Sequence, residues 1–319
     1  MRAMVTPEFG GPDVFEERDV ERPDPGPGEV LVRVIASGTN PIDAKFRAMG
    51  DSMGLEAPLV LGADVSGVVE DIGPGVTEFS PGDEVYYTPE VFGPGSNGGY
   101  AEYHLAPAYL VARKPESLSH EESAAVPLAG GTAHEALVGR LDLKVGETVL
   151  IHGGAGGVGS FAVQIAKTAG ARVLATAGPD NQDTLKNLGA DVALDYSSED
   201  FVEAALEDTG GAGVDAVLDE VGGDTVVSSI AATRAFGRLA TILGGQGDFT
   251  PMYQKNQTLH GVLLHRERAR LDALTALIER RQVRPLVQDS LALNEVGQAH
   301  ERLDSGHGSG KVVLRVAEG

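Results

Sequence analysis

TVLIHGGAGGVGSFAVQIAK, from Thr148 to Lys167, runs from an apolar triplet through a glycine cluster into an amphipathic segment without a break. Val149, Leu150 and Ile151 are bounded by Thr148 and His152, the pattern of a short parallel strand buried on both faces. Gly154, Gly156 and Gly159 then fall on G-x-G-x-x-G. The first permits a tight turn, the second lets backbone amides approach a pyrophosphate, and the third lets a helix pack closely on its strand. Gly157 and Val158 open that helix, whose unpaired amides face the phosphates, and Phe161, Val163, Ile165 and Ala166 supply its apolar residues. Strand, turn and helix follow in the required order, so the segment reads as a dinucleotide site and not as a plain glycine-rich turn.

Working outward, strands are expected at Arg172 to Ala175, Val192 to Leu194, Ala216 to Leu218, Leu239 to Leu243 and Gly261 to Leu264, with helical patterns in the early gaps. With Val149 to Ile151 they make an α/β fold, a doubly wound parallel Rossmann sheet over residues 121–265. Upstream, residues 1–120 are rich in Gly and Pro. Short alternating stretches there, at Val30 to Ile35, Val65 to Ile72, Glu84 to Tyr87 and Tyr100 to Ala106, predict a compact, barrel-like β domain. Downstream, Leu271, Leu274, Leu277 and Ile278 lie on one face of a helix expected over Arg266 to Arg281. Lys311 to Val316 is strand-like with no helix after it, which assigns residues 266–319 as a return to the β domain.

A chain of 319 residues that is 42% hydrophobic, with no apolar run near 20 residues, suits two domains and no membrane span. Its first residues, MRAMVTPEFGG, lack the apolar core of a secretory signal, so the expected location is cytoplasmic. With no cysteine, disulfides, thiolate metal sites and a cysteine nucleophile are excluded. Forty-seven acidic residues against 25 basic ones give a net charge of −22, which disfavours nucleic acid and anionic membrane as partners. Dense carboxylate with scarce lysine suggests a halophilic host; the plainer alternative is an ordinary acidic enzyme.

Several stretches resemble the medium-chain dehydrogenase/reductase superfamily: ASGTNPIDAKFR at Ala36 to Arg47, LGADVSGVVEDIGPGV at Leu61 to Val76, PGDEVY at Pro81 to Tyr86, AAVPLAGGTAHEAL at Ala124 to Leu137, the glycine turn, and GKVVL at Gly310 to Leu314. The resemblance covers essentially the whole chain and implies a GroES-like catalytic domain beside the Rossmann domain. The wording is similar to the zinc-free quinone oxidoreductase branch, and NPIDAK to its alkenal and enone reductases. Where zinc alcohol dehydrogenases carry metal ligands, this chain has Asn40, Ala63 and Leu128. An amide, a methyl and an isobutyl group cannot hold tetrahedral zinc, so the expected metal is none. The remaining chemistry is hydride transfer from NADPH to a quinone or to the β-carbon of an α,β-unsaturated carbonyl. An enoyl-thioester reductase, or an NADPH-binding protein with incidental turnover, is the alternative.

The resemblance places Asn40 near the nicotinamide and makes Lys45 a contact to cofactor or substrate. Asp64, expected to be buried, needs a partner, and Lys45 is the candidate; Asn40, Lys45 and Asp64 form the expected catalytic group. Thr132 matches a threonine near the nicotinamide, Tyr196 an adenosine-side tyrosine, and Lys311 of GKVVL a further cofactor contact. Gly244, Gly245 and Gln246 follow a strand end, where ligands bind in such sheets. The second strand ends in Thr176, Ala177 and Gly178, with no carboxylate for a ribose 2′-hydroxyl, which favours NADPH; Lys186 is a possible partner for its 2′-phosphate. The acceptor is expected in a cleft between the domains, lined by loops such as Pro89 to Gly98. A homodimer is expected through the edge near Leu259 to Leu264.

Overall fold

The computed structural model describes residues 1–90 and 97–317, so most of the acceptor loop expected at Pro89 to Gly98 lies outside the described residues. The chain divides into two compact units. One comprises Met1–Ala129, Arg266–Arg280 and the chain from Pro285 onward; the other comprises Gly130–His265 with Arg281–Arg284. The first boundary falls later than the change of sequence texture at Glu121. Ala124 and Ala125, at the end of helix His120–Ala124, pack on Ala36 and Val313 of the β unit, and this burial draws the helix to that side.

The nucleotide unit holds a six-stranded parallel sheet in the order Val192–Asp195, Arg172–Ala177, Thr148–Ile151, Val214–Asp219, Thr233–Thr241, Thr258–Gly261. Val149, Leu150 and Ile151 are fully buried in its middle. The chain builds outward on one side, returns to the centre, and builds outward on the other. The switch lies between Thr148–Ile151 and Val214–Asp219, the place where ligands bind beyond the strand ends of such sheets. The outermost strand is shifted from its expected place at Gly261 to Leu264. Arg238 to Thr241 pair with Thr258 to Gly261, while Leu263 is 77% exposed; the apolar run Val262 to Leu264 drew the expectation past the true pairing.

The β unit holds a seven-stranded sheet and a three-stranded one. Strand Glu29–Gly38 is the axis of the larger sheet and pairs antiparallel with Val65–Ile72, with Tyr103–Pro107 and with the tail strand Lys311–Arg315. That tail therefore does return to the β unit. It also runs parallel to Val287–Ala292, a strand the alternation rule did not reveal. In helix Arg268–Glu279, Leu271, Leu274 and Ile278 are buried. Among the described residues no helix is long and apolar enough to cross a membrane.

Candidate functional site

The glycine turn is built from backbone. Gly153, one residue before the motif, takes the left-handed conformation at φ 72°, so the turn rests on it and not on Gly154. Gly154 is needed for space: a Cβ there would stand 2.9 Å from the side chains of both Ala175 and Leu185. At Gly159 a Cβ would stand 2.3 Å from the carbonyl oxygen of Gly153, which is the close helix packing the motif predicts. Helix Gly157–Thr168 starts at Gly156 without any side-chain cap, so Gly157 and Val158 present amide donors suited to an anion. This donor set fits a dinucleotide diphosphate.

Thr176, a candidate cofactor-binding residue at the end of the second strand, is buried. Its hydroxyl lies 3.3 Å from both the Gly153 amide and His152 Nδ1, holding the turn from beneath. His152 Nε2 meets the Ser229 hydroxyl at 2.9 Å, and burial lowers its pKa to about 4; it is a neutral structural group. Tyr196 is exposed, with its hydroxyl 3.4 Å from where a Cβ on Gly178 would sit. Lys186 is exposed and pairs with Asp183 at 3.3 Å. Thr132 is buried on helix Pro127–His134. Gly244 and Gln246 bracket a backbone clasp: Gly223 N donates to Gly244 O and Gln246 N donates to Gly223 O, each at 3.0 Å.

In the β unit the expected residues gather differently from the sequence reading. Asp64 is fully buried, and its ammonium partner is Lys311, at 3.2 Å. Lys45 is exposed on helix Pro41–Met49, so the expected Lys45–Asp64 pair does not form. The side chain five positions along from Asn40 points off the far side of the helix, whereas the tail strand brings Lys311 in from beneath. Lys311 also donates to Thr39 O at 2.8 Å and to Asn40 Oδ1, and it is 4% exposed. Its ammonium is thus committed inside this unit and is not a free cofactor contact.

Asn40 is held from both ends of its amide: Oδ1 accepts from Lys311, and Nδ2 donates to Asp64 Oδ2 at 2.9 Å. Asp64 Oδ1 accepts the Leu128 amide at 2.6 Å. Leu128, expected from the resemblance at a zinc-ligand position, contributes a backbone donor here. Beside Asp64 lies a second buried carboxyl, Asp43. Asp43 Oδ2 accepts from Asn40 N at 2.9 Å and from the Tyr100 hydroxyl at 3.3 Å, and Tyr100 reaches His300 Nε2 at 3.2 Å. Burial, and next the Asp64 charge, push Asp43 up to about 7. Burial also raises Asp64, against the pull of Lys311, and lowers His300 to about 3. The signal for Lys311 was present as a lone lysine opening an apolar strand; Tyr100 and His300 carried none.

Two family models match: the alcohol dehydrogenase GroES-like domain over residues 26–116 and zinc-binding dehydrogenase over residues 188–314. A human quinone oxidoreductase is 31% identical, covering 98% of this chain and 97% of that protein. The chloroplastic NADPH-dependent alkenal/one oxidoreductase of Arabidopsis thaliana is 33% identical, covering 98% of this chain and 79% of that protein. A solved NAD-dependent alcohol dehydrogenase superposes with a TM-score of 0.94 at 36% identity, over 99% of this chain and 100% of its own.

Proposed function

The chain belongs to the medium-chain dehydrogenase/reductase superfamily of oxidoreductases, and from that premise we propose that it is an NADPH-dependent reductase of quinones or enones that works without zinc. The supporting observation is the Asn40–Asp64–Lys311 cluster, a doubly clamped amide at a position that the resemblance aligns with a metal ligand of the zinc enzymes. The nicotinamide supplies the hydride, and the glycine turn with Gly157 and Val158 would hold the diphosphate.

The chain's own residues then orient and polarise. Asn40 has one amide hydrogen on Asp64 and its oxygen on Lys311, which fixes the flip of the group and leaves the second Nδ2 hydrogen as a donor. Aimed at a carbonyl oxygen, that donor stabilises the enolate charge that develops when the β-carbon is reduced. Asp64 has both oxygens engaged; with Lys311 it is a positioning group and not a general base. A quinone becomes aromatic on reduction and needs this help less. Support for NADPH over NADH comes from the absence of a carboxylate at Thr176, Ala177 and Gly178, and from the name of the Arabidopsis relative. The edge strand Thr258–Gly261, unpaired on its outer side among the described residues, suits pairing with a second copy, which light scattering checks.

The test is NADPH oxidation with a small quinone and a small enone, alongside elemental analysis. Asn40→Ala is expected to lower kcat/KM for the enone by about ten- to a thousandfold, and for the quinone less, with NADPH affinity unchanged. Stoichiometric zinc whose removal abolishes turnover would overturn the metal-free reading.

A further inference from the structure

Strand Val214–Asp219 ends beside Thr148–Ile151, with Leu218 paired to Ile151. The residue after it therefore stands at the strand ends beside the switch in strand order, where such sheets bind ligands. That residue is Glu220, and the turn beyond it is pinned. Asp219 accepts the Gly222 amide at 3.0 Å and the Thr241 hydroxyl at 2.9 Å, while Gly222 and Gly223 take φ of 76° and 58°. So held, Glu220 lies against the glycine turn. A Cβ on Gly153 would stand 3.7 Å from the Glu220 Cβ and 3.9 Å from its Oε2. Its Oε1 is buried with no hydrogen-bond partner. An acidic group thus stands against the turn that leads into the helix amides proposed to receive the diphosphate.

A carboxylate and a diphosphate repel each other in such a site. We propose that Glu220 makes dinucleotide binding proton-linked: one proton from solvent settles on its carboxyl as the diphosphate enters, and the resulting hydroxyl donates to a phosphate oxygen. No bond other than this O–H forms, and no oxidant or reductant is needed. The inference rests on the dinucleotide reading given above.

The surroundings favour the protonated form. Burial pushes Glu220 well above the usual carboxylate range, and the Asp219 charge adds to it against the Gly159 amide. The first strand and its turn contribute only His152, which is neutral. The helix Gly157–Thr168 carries no charge before Lys167 in its last turn, and Arg172 at the start of the second strand is taken by Asp208. No described lysine or arginine pairs with Glu220.

Calorimetric titration of the full chain with NADPH, in buffers of different ionisation enthalpy, reads the proton directly. Wild type should take up a fraction approaching one proton per site as pH rises, with Kd weakening towards tenfold per pH unit. Glu220→Gln should lose that uptake, flatten the profile and bind more tightly than wild type at alkaline pH; Glu220→Ala should flatten it too. The cofactor's own 2′-phosphate titrates near about pH 6 and remains in both variants, so the difference isolates Glu220. Equal uptake in wild type and Glu220→Gln, or none in either above about pH 7, would overturn the proposal while leaving dinucleotide binding intact. No NADPH binding at all would remove both.

Discussion

The glycine turn and the buried cluster at Asn40 meet opposite demands. The turn works by leaving side chains out: backbone amides face outward, and any Cβ at Gly159 would strike the Gly153 carbonyl. The cluster works by burying two carboxylates, Asp43 and Asp64, against one ammonium. The first is a steric device. The second is an electrostatic device, brittle to the loss of one group, because an unpaired buried charge costs more than the pair gains.

Removing the ammonium should give the largest effect. Lys311→Met leaves Asp64 and Asp43 without their cation and should cost about 3–5 kcal/mol, read by denaturant unfolding; a loss no larger than that of a surface lysine would dissolve the contrast between the two regions. The next effect is one of pH. Asp43 is raised to about 7 in the folded protein, so its contribution is fully present below about pH 4 and is lost as pH rises through about 7. Asp43→Asn does not titrate, so its stability relative to wild type should climb across that window, by at most about 4 kcal/mol. His104, His152 and His300, lowered to about 4, 4 and 3, act oppositely, losing stability as pH falls below about 6.5, but they cancel in the comparison of variant with wild type. A flat difference would show that Asp43 is not the titrating group.

Smaller effects test the turn. Gly159→Ala should lower stability by about 1–3 kcal/mol and weaken NADPH binding, whereas Gly156→Ala, whose Cβ would lie 3.1 Å from the Gly153 carbonyl oxygen, should do less of both; melting and binding curves for the pair rank them. Smallest of all is Lys45→Ala, expected within about 0.5 kcal/mol of wild type. A loss as large as that of Lys311→Met would return Lys45 to the buried charge balance.

The two regions also differed in how far they could be read from the chain. The turn is contiguous, so periodicity and glycine spacing disclosed strand, turn and helix together; only the left-handed residue was misplaced, from Gly153 to Gly154, because the motif counts glycines and not dihedrals. The cluster is assembled across 247 residues between Asp64 and Lys311. Sequence spacing favoured the nearer Lys45, and only the pairing of Val313 and Leu314 with Gly38 and Ser37 reveals which lysine arrives. Val287–Ala292 was hidden for a related reason: VQDSLA lacks a run of β-branched residues and is mostly half-buried.

The placement of Lys311 bears on the order in which the chain can be finished as it is made. Most of the nucleotide unit lies between the first and second of the three segments of the β unit, so a growing chain emerges with Asp43 and Asp64 long before their counter-charge. The inserted sheet can close on its own strands first. The β unit must wait with two acids facing an empty strand position, and it can lock only when Lys311–Arg315 slides in beside Glu29–Gly38.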